Sequence, residues 1–335
     1  MGAVRVRAYA PGRVNLIGDH TDYTGGLVLP MAIDRGTTIV AERVGRRVVL
    51  ESPDADGPAI VDLHVTDAAT MTPPWARYVA GVVCTVRPEV GMVGAVRTEI
   101  PIGAGLSSSA ALEVALALAL GFVGTPAETA ALCQEAEQAA SGVPCGVMDQ
   151  LASLAGVEGH ALLIDCATLD ITPVEIPDSV AVVVVDSGQR RELATSAYAA
   201  RRAECEAAAR LVGPLRNATI DDVAGLDDPV LQRRARHVVT ENARVLAFAG
   251  ALRTGDLLEA GRLMDESHAS LRHDFEVSTA VIDDLVAKVA ATSGVYGARM
   301  TGGGFGGCVV ALADPTSPLA GWRLTASDGA TVDEL

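Results

Sequence analysis

Over the first forty residues, short β-branched runs such as "VRVRAYA" and "GTTIVAE" alternate with glycine and proline. This pattern predicts strands around a polar loop at residues 17 to 26. Two similar runs follow, "RRVVLES" and "AIVDLHV", and "AVRTEIPI" reads as a strand feeding the small-residue stretch "GAGLSSS". There the period changes, and Leu, Val and Ala at helical spacing predict a helix over 109 to 122 with serine at its start. Thr125-Pro126-Ala127-Glu128 offers an N-cap, a proline at the first helical position and a capping-box glutamate, so the next helix should run to about Ser141 and stop at Gly142. A short helix after "GVPCGVMDQ" and strands near "HALLIDC" and "VAVVVVDSG" come next. Arg- and Ala-rich helical patterns then cover 195 to 211, 229 to 252, 255 to 265 and 278 to 291, before "GARMTGGGFGGCVVALA" turns on glycine into an apolar run.

Strands and helices thus come in separate blocks, which is the pattern of an α+β protein. A length of 335 residues suits two domains, and the change of character sets the expected division at 1–178 and 179–335. The longest strongly apolar stretch, Val114 to Gly124, is too short for a bilayer span, and "MGAVRVRAYAPGR" lacks the apolar centre of a secretory signal. We therefore expect a cytoplasmic protein with no membrane partner. Its six cysteines show neither C-x-x-C nor zinc-ligand spacing and read as free thiols. A formal charge of −16 excludes an extended nucleic-acid surface, which needs clustered Lys and Arg. A local site for a small phosphorylated ligand stays open.

One detail of composition changes the picture. Lys288, within the helical pattern "AVIDDLVAKVA", is the only lysine. A Walker A loop and a protein-kinase site each need a lysine elsewhere, so neither is available. Any nucleotide phosphates must be met by backbone amides, hydroxyls and metal. "PIGAGLSSSA" is suited to that work, because small residues that end as a helix begins leave N–H groups pointing outward. On its own it could equally be a flexible connection with a serine cap. Two further glycine loops, "APGRVNLIGDHTDYTGG" and "TGGGFGGC", raise the phosphate reading. Individually, Arg13, Asp149, Glu137, His20, Asp19 and Asp22 each have ordinary structural readings, as surface, cap or turn residues.

Taken together, "APGRVNLIGDHTDYTGG", "PIGAGLSSSA", "AEQAASGVPCGVMDQ", "VVVVDSGQRRELATSAYAARRAECE", "SHASLRHDFEVS" and "MTGGGFGGCVVAL" closely resemble the galactokinase branch of the GHMP small-molecule kinase superfamily, in order and over nearly the whole chain. The resemblance implies a ribosomal S5 domain 2-like N-terminal domain, a ferredoxin-like C-terminal domain and a cleft between them. It implies ATP and Mg²⁺ as cofactors and phosphorylation of the anomeric hydroxyl of galactose. Gly103, Ala104, Gly105, Leu106, Ser107, Ser108 and Ser109 match the phosphate loop, Ser109 and Glu137 the Mg²⁺ ligands, Asp149 the catalytic aspartate and Arg13 the arginine beside it. Asp19, His20, Thr21, Asp22, Gly146 and Tyr198 fall where the family contacts the sugar, and Ser52 is aligned with a serine near the base. "TGGGFGG" is expected to brace the phosphate loop.

This chain departs from the family at Asp19, where glutamate is usual, and at Thr24, where asparagine is usual. The shorter Asp19 is expected to hold the hydroxyl at the far end of the sugar either through water or less well, which leaves the identity of the sugar open. The alternatives weighed are a 1-kinase for another aldose and a non-catalytic regulator that binds galactose and ATP. The intact serine loop, Arg13, Glu137 and Asp149 speak against the regulator. The expected partners are a small-molecule sugar and ATP, and the sequence leaves the oligomeric state open, a monomer being compatible with it.

Overall fold

The structure is a computed structural model that describes residues 4–101, 103–189 and 194–335. Residues 190 to 193 of the quoted arginine-containing segment and Ile102 lie outside the described residues. In chain order the N-terminal half holds β1 (Val4–Asn15), β2 (Leu27–Val28), β3 (Pro30–Arg43), β4 (Arg47–Glu51), β5 (Ala59–Asp62), α1 (Ala76–Val86), β6 (Met92–Thr98), α2 (Ser108–Ala119), α3 (Pro126–Ser141), α4 (Met148–Ala155), β7 (His160–Asp165) and β8 (Ile171–Glu175). The remainder holds β9 (Ala181–Asp186), α5 (Ala194–Val212), α6 (Ile220–Ala224), α7 (Pro229–Thr254), α8 (Leu257–His273), α9 (Ala280–Ala290), β10 (Val295–Thr301), β11 (Cys308–Ala313), β12 (Trp322–Leu324) and β13 (Thr331–Glu334).

The larger sheet has the order β13-β1-β3-β6-β4-β5. Period-two alternation gives it one apolar face: Val6, Ala8 and Ala10 of β1 are buried while Arg5 and Arg7 face water. On that face lie α1, α2 and α4, whose Val, Ala and Leu side chains complete the core. The second sheet, β10-β11-β9-β12, carries α8 and α9, and a three-stranded sheet, β2-β7-β8, packs on α4 through Val28, Leu151 and Ile164.

We keep the division near residue 178, between β8 and β9, as a proposal. The chain crosses it again, since β13 pairs antiparallel with β1, and the main core continues into Phe248 of α7, Met264 of α8 and Val310 of β11. The two sheets are therefore coupled through one body of packed side chains.

The capped helix α3 has the expected bounds: the Thr125 hydroxyl and the Glu128 carboxylate cap each other's backbone N–H, and Gly142 closes the end in the left-handed region (φ 71°). Other elements differ from expectation. The helix expected at 255 to 265 continues to His273, because its later buried positions, Ser267, His268 and Ser270, are polar and break the apolar period. Helices α1 and α6 and strands β2, β8, β10, β12 and β13 went unpredicted. The helix expected at 109 to 122 spans Ser108–Ala119, and its serine does not serve as a cap.

Candidate active site

That failed cap is the first feature of the site. Ser107 precedes α2 in the left-handed region (φ 61°), and its side chain makes no capping bond. A non-glycine residue held there is strained, and such strain gathers at functional loops. The Ser107 hydroxyl turns away and donates to Asp149 Oδ2 at 2.5 Å. The first N–H groups of α2 are thereby left facing a cleft of about 570 Å³, lined by Gly103, Gly105, Ser107, Ser108 and Ser109. Helix N-terminal amides with no side-chain acceptor form an anion site. Ala104 and Leu106 are buried beneath the loop and shape it from below.

Arg13 is aimed into the same cleft by a register shift in β1 between Pro11 and Arg13, the usual way a strand re-directs one side chain. Gly12 beside it allows the close approach, since a Cβ there would lie 2.6 Å from the Leu106 carbonyl oxygen. Arg13 Nε and Nη2 meet the two carboxylate oxygens of Asp149 at 2.7 and 2.6 Å, and Nη1 donates to the Gly105 carbonyl at 2.7 Å. One guanidinium thus ties the loop to the aspartate. Asp149 stands in the first turn of α4, where the helix dipole also favours a negative group. Four lone-pair positions on its carboxylate meet three donors among the described residues, two from Arg13 and one from Ser107, which leaves one position open.

Glu137 comes from α3. It accepts from the Ser109 hydroxyl at 2.8 Å through Oε1 and from Gln150 Nε2 at 2.6 Å through Oε2. Burial, with the Asp149 charge adding to it, raises its carboxyl above the ordinary range. Among the described residues no cluster of three or more His, Cys, Asp or Glu side chains forms a metal cage. A hydroxyl with a carboxylate is nonetheless the donor set Mg²⁺ accepts when water and phosphate supply its remaining ligands.

A second cavity of about 210 Å³ adjoins the first and shares Arg13, Glu137 and Asp149 as its wall. Its other sides include Asp19, His20, Asp22, Gly146 and Tyr198, so the structure brings together most of the expected sugar-site residues. His20 adopts the left-handed conformation (φ 66°), with Nδ1 2.9 Å from the Tyr23 hydroxyl and its ring against Tyr198 and Phe275. Asp22 presses on Gly146, where a Cβ would sit 1.8 Å from Asp22 Oδ2. Burial first, then the neighbouring Asp149 charge, pushes the Asp22 carboxyl up to about 7.

Two of the expected sugar-site residues have other engagements. Thr21 is fully buried, with its hydroxyl 2.8 and 2.7 Å from the carbonyl oxygens of Gly18 and Leu27; it holds the loop shut rather than lining the cavity. Asp19 faces the cavity but is already engaged, by Arg299 Nη2 at 2.5 Å and the Gly302 N–H at 3.1 Å. The glycine loop therefore braces Asp19 instead of the phosphate loop, and Gly302 and Gly303 line the second cavity.

Ser52 does line the larger cleft, beside Asp54 and Ala55. Sequence reading missed Trp75 and Tyr78, which complete that wall and offer aromatic faces to a planar ligand. An apolar helical period beginning at Trp75 was the available signal. Arg299, Glu113 and Gln150 were also missed, and no local pattern marks them.

Comparison with known proteins agrees with this geometry. A family model of the GHMP kinase N-terminal domain matches residues 77–157, and one of the GHMP kinase C-terminal domain matches residues 248–321. Fold and phosphate loop together are those of a GHMP small-molecule kinase. The galactokinase galactose-binding signature matches residues 2–43. The chain is 46% identical to human galactokinase over 327 residues, covering 92% of this chain and 83% of the human protein. It is likewise 46% identical to the galactokinase of Roseiflexus sp. (strain RS-1), with the same coverage. The crystal structure of Lactococcus lactis galactokinase complexed with galactose superposes with a TM-score of 0.90 at 31% identity, covering 98% of this chain and 95% of that one. This chain belongs to the galactokinase family. A mevalonate kinase structure, at 18% identity and a TM-score of 0.63, shares the fold.

Proposed function

We propose that this protein transfers the γ-phosphoryl group of ATP to the anomeric hydroxyl of galactose, giving galactose 1-phosphate and ADP. The observation that carries the reading is Asp149, held by Arg13 and Ser107 on the wall common to both cavities. The larger cavity suits the nucleotide, with its phosphates on the α2 amides and its base toward Trp75 and Tyr78. The smaller one suits a sugar, whose hydroxyls meet Asp22, His20 and the Tyr198 edge.

In the reaction the anomeric oxygen forms a bond to the γ-phosphorus, the bond to the ADP oxygen breaks, and the hydroxyl proton passes to the open position on Asp149. The guanidinium of Arg13 keeps that carboxylate in place and lies close enough to the loop to offset charge on the transferring group. Ser109 and Glu137 would hold Mg²⁺, which supplies charge neutralisation at the phosphates. Its free cysteines suit a reducing compartment, and we place the reaction in the cytoplasm. Among the described residues no helix is long and apolar enough to cross a membrane.

The test is ADP release from MgATP with galactose, 2-deoxygalactose, glucose, N-acetylgalactosamine, arabinose and galacturonate, run beside Asp149→Asn. Galactose should lead, and Asp149→Asn should lower turnover by about 10³-fold with the fold intact. Another leading sugar, or an active Asp149→Asn, would overturn the reading.

A further inference from the structure

Glu113 has no part in the chemistry above, yet it lies one turn beyond Ser109 on α2 and is fully buried. An isolated carboxylate in such surroundings is costly and needs compensation. The donor it meets is Gln150 Nε2, 3.3 Å from Glu113 Oε2. The same nitrogen is 2.6 Å from Glu137 Oε2, so both N–H bonds of the Gln150 amide are committed, one to each carboxyl. Two buried oxygens are then left with no partner, Glu113 Oε1 and Gln150 Oε1.

Each of those atoms lacks a donor. A single proton on Glu113 Oε1 repairs both faults, because an acid and an amide that share one hydrogen bond can close a two-bond ring, acid O–H to amide C=O beside amide N–H to acid C=O. The reverse orientation of the amide would turn its oxygen toward Glu137, acceptor against acceptor. We propose that Glu113 is a neutral acid locked to Gln150 in such a ring, and that the pair is a positioning device that aims the Gln150 amide at Glu137 and so fixes the carboxylate that faces the metal.

Burial, reinforced by the charge of Glu137, holds the Glu113 carboxyl well above its ordinary range, in agreement with the neutral form. Without the ring, the Gln150 amide could turn, and Glu137 would lose the partner that orients Oε2 while Ser109 holds Oε1. This purpose rests on the proposed reading of Glu137 as a Mg²⁺ ligand; the ring itself does not.

Two measurements separate these claims. The infrared difference spectrum of the ligand-free proteins at neutral pH, wild type minus Glu113→Gln, should show a protonated-carboxyl band, the contribution of Asp22 being common to both and cancelling. Glutamine at this position reproduces the ring, its amide N–H replacing the acid O–H, whereas Glu113→Leu leaves Gln150 Oε1 without a donor. Binding of Mn²⁺ with a non-hydrolysable ATP analogue, followed by electron paramagnetic resonance, should weaken by about 10- to 100-fold in Glu113→Leu and by no more than about 2-fold in Glu113→Gln. Galactose affinity should be unchanged in both, which shows that they fold. Absence of the band from that difference, or equal weakening of Mn²⁺ binding in the two variants, would overturn the ring. If Glu137→Gln leaves Mn²⁺ binding intact while the band behaves as expected, the metal reading is overturned, and with it the purpose given to the pair.

Discussion

Replacing Asp22 by asparagine should stabilise the ligand-free protein, and by an amount that grows with pH. The carboxyl is enclosed, stands close to the Asp149 charge, and is raised from 3.8 to about 7. Between about pH 4 and pH 7 the folded state keeps a proton that the unfolded chain has already released. Stability associated with neutral Asp22 is therefore full below about pH 4, falls as pH rises, and is gone above about pH 7. A difference of roughly 3 units, at about 1.4 kcal/mol each, sets a ceiling of about 4 kcal/mol. Because Asp22 borders a water-accessible cavity, we expect roughly half of that. Asparagine keeps the shape without the titration. In urea unfolding without sugar or nucleotide, Asp22→Asn minus wild type should grow by about 1.3 kcal/mol between pH 5 and pH 8, because about a third of the penalty is already present at pH 5. An equal difference at both pH values, or one that shrinks as pH rises, would refute the argument. The same variant should bind galactose poorly, since a group that costs stability in the empty site serves the occupied one.

Two further substitutions separate sugar binding from folding. Gly146→Ala would place a Cβ 1.8 Å from Asp22 Oδ2, so calorimetry should show galactose affinity down at least about 10-fold with the affinity for ATP nearly unchanged. Thr125→Ala removes one half of the α3 capping box, far from either cavity; its Tm should fall by about 2 to 4 °C while kcat and both KM values stay at the wild-type level.

How much could be read in advance depended on whether the deciding interaction was local. Helix α3 was legible to the residue because its start and stop are written in four consecutive residues and one glycine. Strand β13 was not, since every residue in it is exposed and only its pairing with β1, more than three hundred residues away, makes it a strand. The extension of α8 was hidden for a related reason: its buried face holds Ser267, which donates to Glu241, and His268, which faces Asp283 and the Met300 N–H. Ser107 shows the limit most clearly. A serine before an apolar helix reads as a cap, and nothing nearby reveals that Asp149, forty-two residues on, claims its hydroxyl. Asp19 and Asp22, three residues apart, looked alike in sequence and differ in fate, because Arg299 pairs with Asp19 while burial and Asp149 raise Asp22.

The charges in the cleft support the same division of labour. Asp22, Glu137 and Asp149 stand on its walls, and among the described residues Arg13 is the cation lining both cavities. Arg13 spends its fork on Asp149, and among the described residues no ion pair reaches Asp22 or Glu137, whose carboxyls are raised. A core built only for stability would replace such groups with apolar ones. Here each has a matching part among the proposed reactants: hydroxyl donors for Asp22, a divalent cation for Glu137, and a single transferable proton for Asp149. In the proposed reading the phosphates, which would repel all three carboxylates, would be met by the backbone amides that Ser107 leaves uncapped. A lysine in the loop would neutralise the phosphates directly, but it would also pair with Glu137 or Asp149 in the empty enzyme. The absence of lysine from residues 1 to 287 is thus consistent with a cleft whose acidic groups are kept open for ligands.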